Sequence, residues 1–168
     1  LVSMDENVSS QWANVETQYQ RRADLIPNLV NTVKGYASHE ENTLTEVVNA
    51  RAKATQMQLN IDQLDEAALK KLSNIQGELS SALSRLMAIS ENYPDLKANQ
   101  NFLDLQAQLE GTENRIAVER RKFNDVARSY NAFILQFPRN LVAGMFGFTS
   151  KPYFEANAGA ENAPKVEF

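Results

Sequence analysis

The chain has 168 residues, 43 % apolar and 23 % charged, which makes one comfortable domain with enough apolar material for a core. With no Cys and a single His, disulfides, thiolate nucleophiles, cysteine-ligated metals and multi-histidine metal sites are excluded. Seventeen basic against 21 acidic side chains leave a formal charge of −4, a poor start for broad nucleic-acid binding.

The first pattern is long. Val8, Trp12, Val15, Tyr19, Arg22, Ile26, Leu29, Val33 and Tyr36 follow one another at alternating steps of four and three. That alternation lays all of them along one stripe of an α-helix, predicted over 4–36 and ending at Gly35. Pro27 removes one backbone hydrogen bond and crowds the Ala23 carbonyl, so a bend is expected there; the unbroken phase argues against a break.

Ser38 followed by Glu41 has the form of a capping box and opens a second predicted helix, 39–58. Its stripe is Leu44, Val47, Arg51, Ala54 and Met57, with Val48 beside it. Asp62 or Asp65 can cap a third helix, 63–92, carrying Leu64, Ala68, Leu72, Ile75, Leu79, Leu83, Leu86 and Ile89. Asn92, Tyr93 and Pro94 end it, because the residue before a proline avoids helical angles. A fourth helix starts at Asp95 and runs over 96–137, with Phe102, Leu105, Leu109, Ile116, Phe123, Ala127, Tyr130, Ile134 and Phe137 on its stripe. Pro138 closes it. Short turns between long helices predict an all-α fold, an antiparallel up-down-up-down four-helix bundle over 1–137.

Residues 138–168 are different. They hold three Pro, three Gly and scattered aromatics with no period of 2 or 3.6. The run Leu141 to Phe148 is too short to span a bilayer, so an irregular tail docked on the bundle is expected, with an apolar patch for lipid or another subunit as the alternative.

The stretch Tyr19-Gln20-Arg21-Arg22-Ala23-Asp24-Leu25-Ile26-Pro27-Asn28-Leu29-Val30, followed by Gly35-Tyr36, resembles the signature of the bacterial LemA family. The resemblance continues through Glu113-Asn114-Arg115, Tyr130-Asn131, Phe137-Pro138, Phe146-Gly147-Phe148 and Pro164-Lys165-Val166. It implies a four-helix-bundle domain behind a single N-terminal transmembrane helix, at a bacterial membrane, with no assigned biochemical activity. Leu1-Val2 looks like the stretch just after such an anchor, so the anchor is expected to be missing from this chain.

Candidate sites are few. Arg22 occupies the buried seam of the first helix, and Glu113 and Arg120 continue the seam of the fourth. Helix heights bring Glu113, Glu119 and Asp125 within about two turns of Arg22. A buried guanidinium needs a partner, so Arg22, Glu113, Glu119 and Arg120 are read as a structural polar seam, with a ligand or partner site as the alternative. His39 lacks both the Glu-x-x-His spacing and a second His, so no metal is expected. Arg115, Arg120, Arg121, Lys122 and Arg128 are interrupted by Glu119 and Asp125 and read as a solvated face, with phospholipid headgroups as the alternative. Trp12 and Tyr19 read as core by their spacing, with a membrane-facing collar as the alternative.

No phosphate loop, nucleophile elbow or dinucleotide fingerprint is present. Together with the anchor and bacterial membrane that the resemblance implies, this makes the expected function a non-enzymatic, membrane-tethered scaffold or adaptor of the bacterial envelope. It would need no cofactor and no nucleic acid, and would act as a homo-oligomer or on a membrane protein or lipid surface. An enzyme or enzyme regulator centred on Arg22 and Glu113, and a sensor of an apolar molecule beneath the tail, are the alternatives.

Overall fold

The computed structural model describes residues 2–57, 59–60, 63–136 and 143–154. Every long element among them is helical: α1 (Val2–Lys34), α2 (Glu41–Gln56), α3 (Glu66–Ser90), α4 (Pro94–Ala98) and α5 (Gln100–Leu135). None of these helices is long and apolar enough to cross a membrane. The predicted residues Asp62, Phe137, Pro138, Leu141-Val142 and 155–168 lie outside the described positions.

α1 buries Val8, Trp12, Val15, Tyr19, Arg22, Ile26, Leu29 and Val33, so the three–four stripe is its inner face. Tyr36 departs from that stripe: the helix stops at Lys34, and the ring is exposed with its hydroxyl accepting from Asn99 Nδ2 at 2.9 Å. α1 passes through Pro27 without interruption. Proline has no N–H for the carbonyl four residues back, and here Arg51 Nε from α2 donates to the Ala23 carbonyl at 2.7 Å instead. Arg51→Met is expected to destabilise the fold by about 1–2 kcal/mol, and by less in a Pro27→Ala background, where residue 27 regains a donor. Urea denaturation of the four chains of that double-mutant cycle checks it.

The turn into α2 differs from the predicted capping box. Glu40 is the cap residue and no side chain bonds the free amides; Ser38 stays in the turn. Val48 also turns outward, at 47 % exposure, while Leu44, Val47, Ala50 and Ala54 face in. α3 begins as expected from Asp65, whose carboxylate accepts from the Ala68 amide at 2.7 Å. Its inner face is turned slightly from the predicted stripe: Ile75 and Ile89 are half-buried, and Leu69, Gln76, Ala82 and Met87 lie inside.

The single fourth helix of the sequence reading is two. Pro94 takes the first-turn position of α4, where a missing N–H is harmless. Asn99 then adopts extended angles and its side chain accepts from the Phe102 amide at 3.0 Å, so the chain restarts as α5. Leu96, fully buried, anchors the intervening turn.

The described core falls into two clusters. One joins Ile26–Ala37 of α1 and its turn with α2, Leu79–Met87, Leu96 and Phe102–Leu109. The other joins Val8–Tyr19, Leu64–Leu72, Ile116–Ile134, Ala143 and Phe154. Beyond α5, residues 143–145 make one helical turn, closed by Gly147 at φ +74° and by a Phe148 amide bond to the Ala143 carbonyl at 2.8 Å. Residues 151–154 then run beside α5, bonded to it through Asn131 and Asn124.

Candidate functional site

Between the two clusters lies a polar layer. Arg22 stands between Tyr19 and Ile26, Gln76 between Leu72 and Leu79, and Glu113 between Leu109 and Ile116, so each fills one seam position of its own helix. Arg22 is 1 % exposed and Glu113 4 %. Removing two such charges from water is costly unless both are hydrogen-bonded.

They are. Arg22 Nη1 donates to Glu113 Oε1 at 2.7 Å and to Ser80 Oγ at 2.6 Å. Its Nη2 donates to the Gln76 side-chain oxygen at 2.6 Å and to the Gln76 carbonyl at 3.1 Å. The guanidinium also lies 5.6 Å from the centre of the Tyr19 ring, a cation–π contact. Three helices thus converge on one cation.

Glu119 and Arg120, the other predicted members of the seam, and the neighbouring acid Asp125 do not bond Arg22. Glu119 is directed to α1, accepting from Gln11 Nε2 at 2.5 Å, and Asp125 pairs with Arg128 on the surface. Arg120 reaches Ser73 Oγ at 3.2 Å and covers the Phe154 ring at 4.6 Å. His39 is exposed in the turn before α2. Trp12 packs inside, its ring 5.5 Å from Phe123 and 6.1 Å from Phe154, with Nε1 donating to the Leu59 carbonyl at 3.0 Å. Of the signature residues, Tyr19, Arg22, Ile26, Leu29, Val30, Glu113, Tyr130 and Asn131 are buried. Leu25 is half-buried, while Arg21, Asp24, Pro27, Asn28, Gly35, Asn114 and Arg115 are exposed.

Two features escaped the sequence reading. Gln76 provides two of the four bonds to Arg22, and its signal was a polar residue at a four–three step between Leu72 and Leu79. Asn124 pairs with the tail: its Oδ1 accepts from the Phe154 amide at 2.7 Å and its Nδ2 donates to the Phe154 carbonyl at 3.2 Å. Asn131 does the same with Lys151, at 2.5 Å and 2.7 Å.

Beside the polar layer, Trp12, Glu16, Tyr19, Met57, Leu59 and Gln76 border a cleft of about 50 Å³. Pockets for small molecules run to roughly 300 Å³ and more. Burial pushes the Glu16 carboxyl above the ordinary carboxylate range. Burial also raises the Tyr19 phenol above its usual value, with Glu113 adding to the shift and Arg120 and Arg22 opposing it. Tyr19 therefore keeps its proton in the folded chain when the unfolded chain has lost it. Its contribution to stability is intact below about pH 10 and declines above, by at most about 1.4 kcal/mol per pH unit. Chemical denaturation at pH 7, 9 and 10.5 is expected to give a shallower alkaline loss for Tyr19→Phe than for the parent.

The model of the LemA family matches residues 11–168. This chain belongs to the LemA family. Relatives include Magnetosome protein MamQ 2 of Paramagnetospirillum magneticum, 31 % identical over 92 % of this chain and 63 % of its own length. Magnetosome protein MamQ of Magnetospirillum gryphiswaldense is 30 % identical with the same coverage. Protein LemA of Metamycoplasma hominis is 26 % identical over 85 % of this chain and 62 % of its own. The chain thus spans less than two thirds of the length of these family members.

Proposed function

We propose that this chain is the non-enzymatic scaffold or adaptor part of a membrane-tethered protein of the bacterial envelope, acting by self-association or by holding a membrane partner. The observation that carries this reading is the commitment of the two charge-bearing ends of the Arg22 side chain, while Arg22 Nε and the Tyr19 hydroxyl are buried with no hydrogen-bond partner among the described residues. Both terminal nitrogens of Arg22 are committed to Glu113, Ser80 and Gln76, and the cleft beside them is about 50 Å³. Catalysis needs converging groups with a free position for a reacting atom. Here the ionic pair acts as a register device for the helices, the best-attested role of such pairs.

The architecture we infer is an antiparallel up-down-up-down four-helix bundle, with α4 and α5 together making the fourth rod. Cross-helix pairs support it. Gln11 meets Glu119, Arg22 meets Glu113, Thr32 meets Asn101 and Tyr36 meets Asn99, so numbers fall on one helix as they rise on the other. Glu46 with Arg85 and Lys53 with Glu78 follow the same rule for α2 and α3. Recognition belongs to the outside, where Leu135, Met145 and Phe146 are 68 %, 82 % and 72 % exposed. The tether is the N-terminal anchor that the family resemblance implies.

The assembled mass of the anchored protein, measured in detergent and in lipid nanodiscs, tests the proposal. Multimers or a co-purifying membrane partner are expected. A strict monomer that is indifferent to lipid overturns it.

A further inference from the structure

α5 carries its charges in two unlike halves. Residues 100–114 hold three acids and no base, and one of these acids, Glu113, is already bonded to Arg22. Residues 115–128 hold five bases and two acids, in a chain whose total charge is −4. On the outer face, Asp104 and Glu110 are exposed in the first half, and Arg115, Arg121 and Lys122 in the second. Glu110, Arg115 and Arg121 have no ion-pair partner among the described residues, whereas Asp125 is matched by Arg128 at 3.1 Å. Between the halves stands Gly111, where an added Cβ would meet nothing among the described residues. Glycine inside a helix is unfavourable relative to alanine, and its missing side chain allows another chain to come close.

Helical spacing makes these halves complementary to each other. Asp104 and Lys122 are eighteen residues apart, about five whole turns, so they stand on one flank of the outer face. Glu110 and Arg121 are eleven apart, about three turns, and stand on the other flank. Gly111 and Val118, seven apart and about two turns, lie between them. When two copies of such a helix are laid antiparallel about a two-fold axis, residues on the same flank meet. The midpoints of all three pairs fall between residues 113 and 116, within about 4 Å along the helix. One axis therefore brings Asp104 to Lys122, Glu110 to Arg121 and Val118 over Gly111, each of them twice.

We propose that the outer face of α5 is the surface through which two copies of this chain pair, antiparallel and related by a two-fold axis. This rests on the self-association reading above and gives it a surface. The occupant is a second copy because the face carries both signs of charge. An anionic lipid surface would suit the basic half and be repelled by Asp104 and Glu110, whereas a second α5 answers both halves. The contact is isologous and closes as a dimer. It is one helix wide and its ion pairs are exposed, so the dimer is weak and sensitive to salt.

Sedimentation velocity of the purified chain over a concentration series, at low and high salt, tests it. The expected result is a reversible monomer–dimer equilibrium that weakens as salt is raised. Glu110→Lys and Arg121→Glu, each alone, are expected to raise the dissociation constant roughly tenfold, because each reversal turns two symmetry-related attractions into repulsions. Both together in one chain recreate the pairs with their signs exchanged, and the parent's dimer returns. Gly111→Leu is expected to abolish the dimer and leave the chain at least as resistant to urea, since leucine is the better helix former. A dimer indifferent to all of these changes leaves self-association standing and overturns this surface. A chain that is monomeric at every concentration also overturns it, and the anchored protein in nanodiscs then decides the wider reading by itself. If phosphatidylglycerol vesicles bind that monomer and Arg121→Glu releases them, the basic half is a lipid site instead.

Discussion

Glu113→Ala is expected to lower the unfolding free energy by about 3–5 kcal/mol, the usual result of stripping one partner from a buried ion pair. Arg22 cannot move to water, because it is 1 % exposed and lies between two apolar clusters. Its remaining bonds to Gln76 and Ser80 are to neutral oxygens and leave the positive charge uncompensated. Replacing both members, Arg22→Met with Glu113→Gln, is expected to recover most of that loss. An apolar side chain of similar length asks for no partner, and a carboxamide in place of the Glu113 carboxylate stays within reach of Ser80. Guanidinium denaturation of the two single variants and the double gives the coupling. If Glu113→Ala lost less than about 1 kcal/mol, the value of an ordinary surface pair, the layer would not hold the charge described here.

Phe123→Ala is the second large effect, about 3–5 kcal/mol. The ring is fully buried and meets Trp12 at 5.5 Å and Phe154 at 5.6 Å, both close to edge-on, so truncation leaves a cavity that two other rings border. The loss is expected to reach the tail as well, because Phe154 is the buried peg of the 151–154 segment. Amide hydrogen exchange checks this: the Lys151 and Phe154 amides, held by Asn131 and Asn124, should exchange faster in Phe123→Ala while the amides of α3 keep their order of protection.

The helical character and the inner face of α1 were legible because nine residues keep a three–four phase, and eight of the nine are buried. Arg22 was legible for the same reason, as a charge standing where the phase demands an apolar residue. Gln76 was not, since Ile75 next to it offers an apolar side chain at an equally acceptable step. The break at Asn99 was hidden because apolar residues continue past it, Leu96 before and Phe102 after, and an Asn inside such a run carries no warning. The predicted capping box failed for a local reason: the helix starts at Glu41 itself, which leaves Ser38 too far upstream to cap it. The Asn124 and Asn131 clamp was beyond reach, because a bond to backbone leaves no trace in the identity of the residue that receives it. The continuity of α1 through Pro27 was legible in the unbroken phase, yet the partner Arg51 belongs to another helix and no spacing within α1 points to it.

The charged layer at mid-height also separates one end of the molecule energetically from the other. Lesions on opposite sides of it, such as Leu86→Ala in one cluster and Ile116→Ala in the other, fall among separate sets of neighbours. Their penalties should sum to within about 0.3–0.5 kcal/mol. Evolution can then retune either half of such a rod without renegotiating the other, provided the bolt between them is left alone.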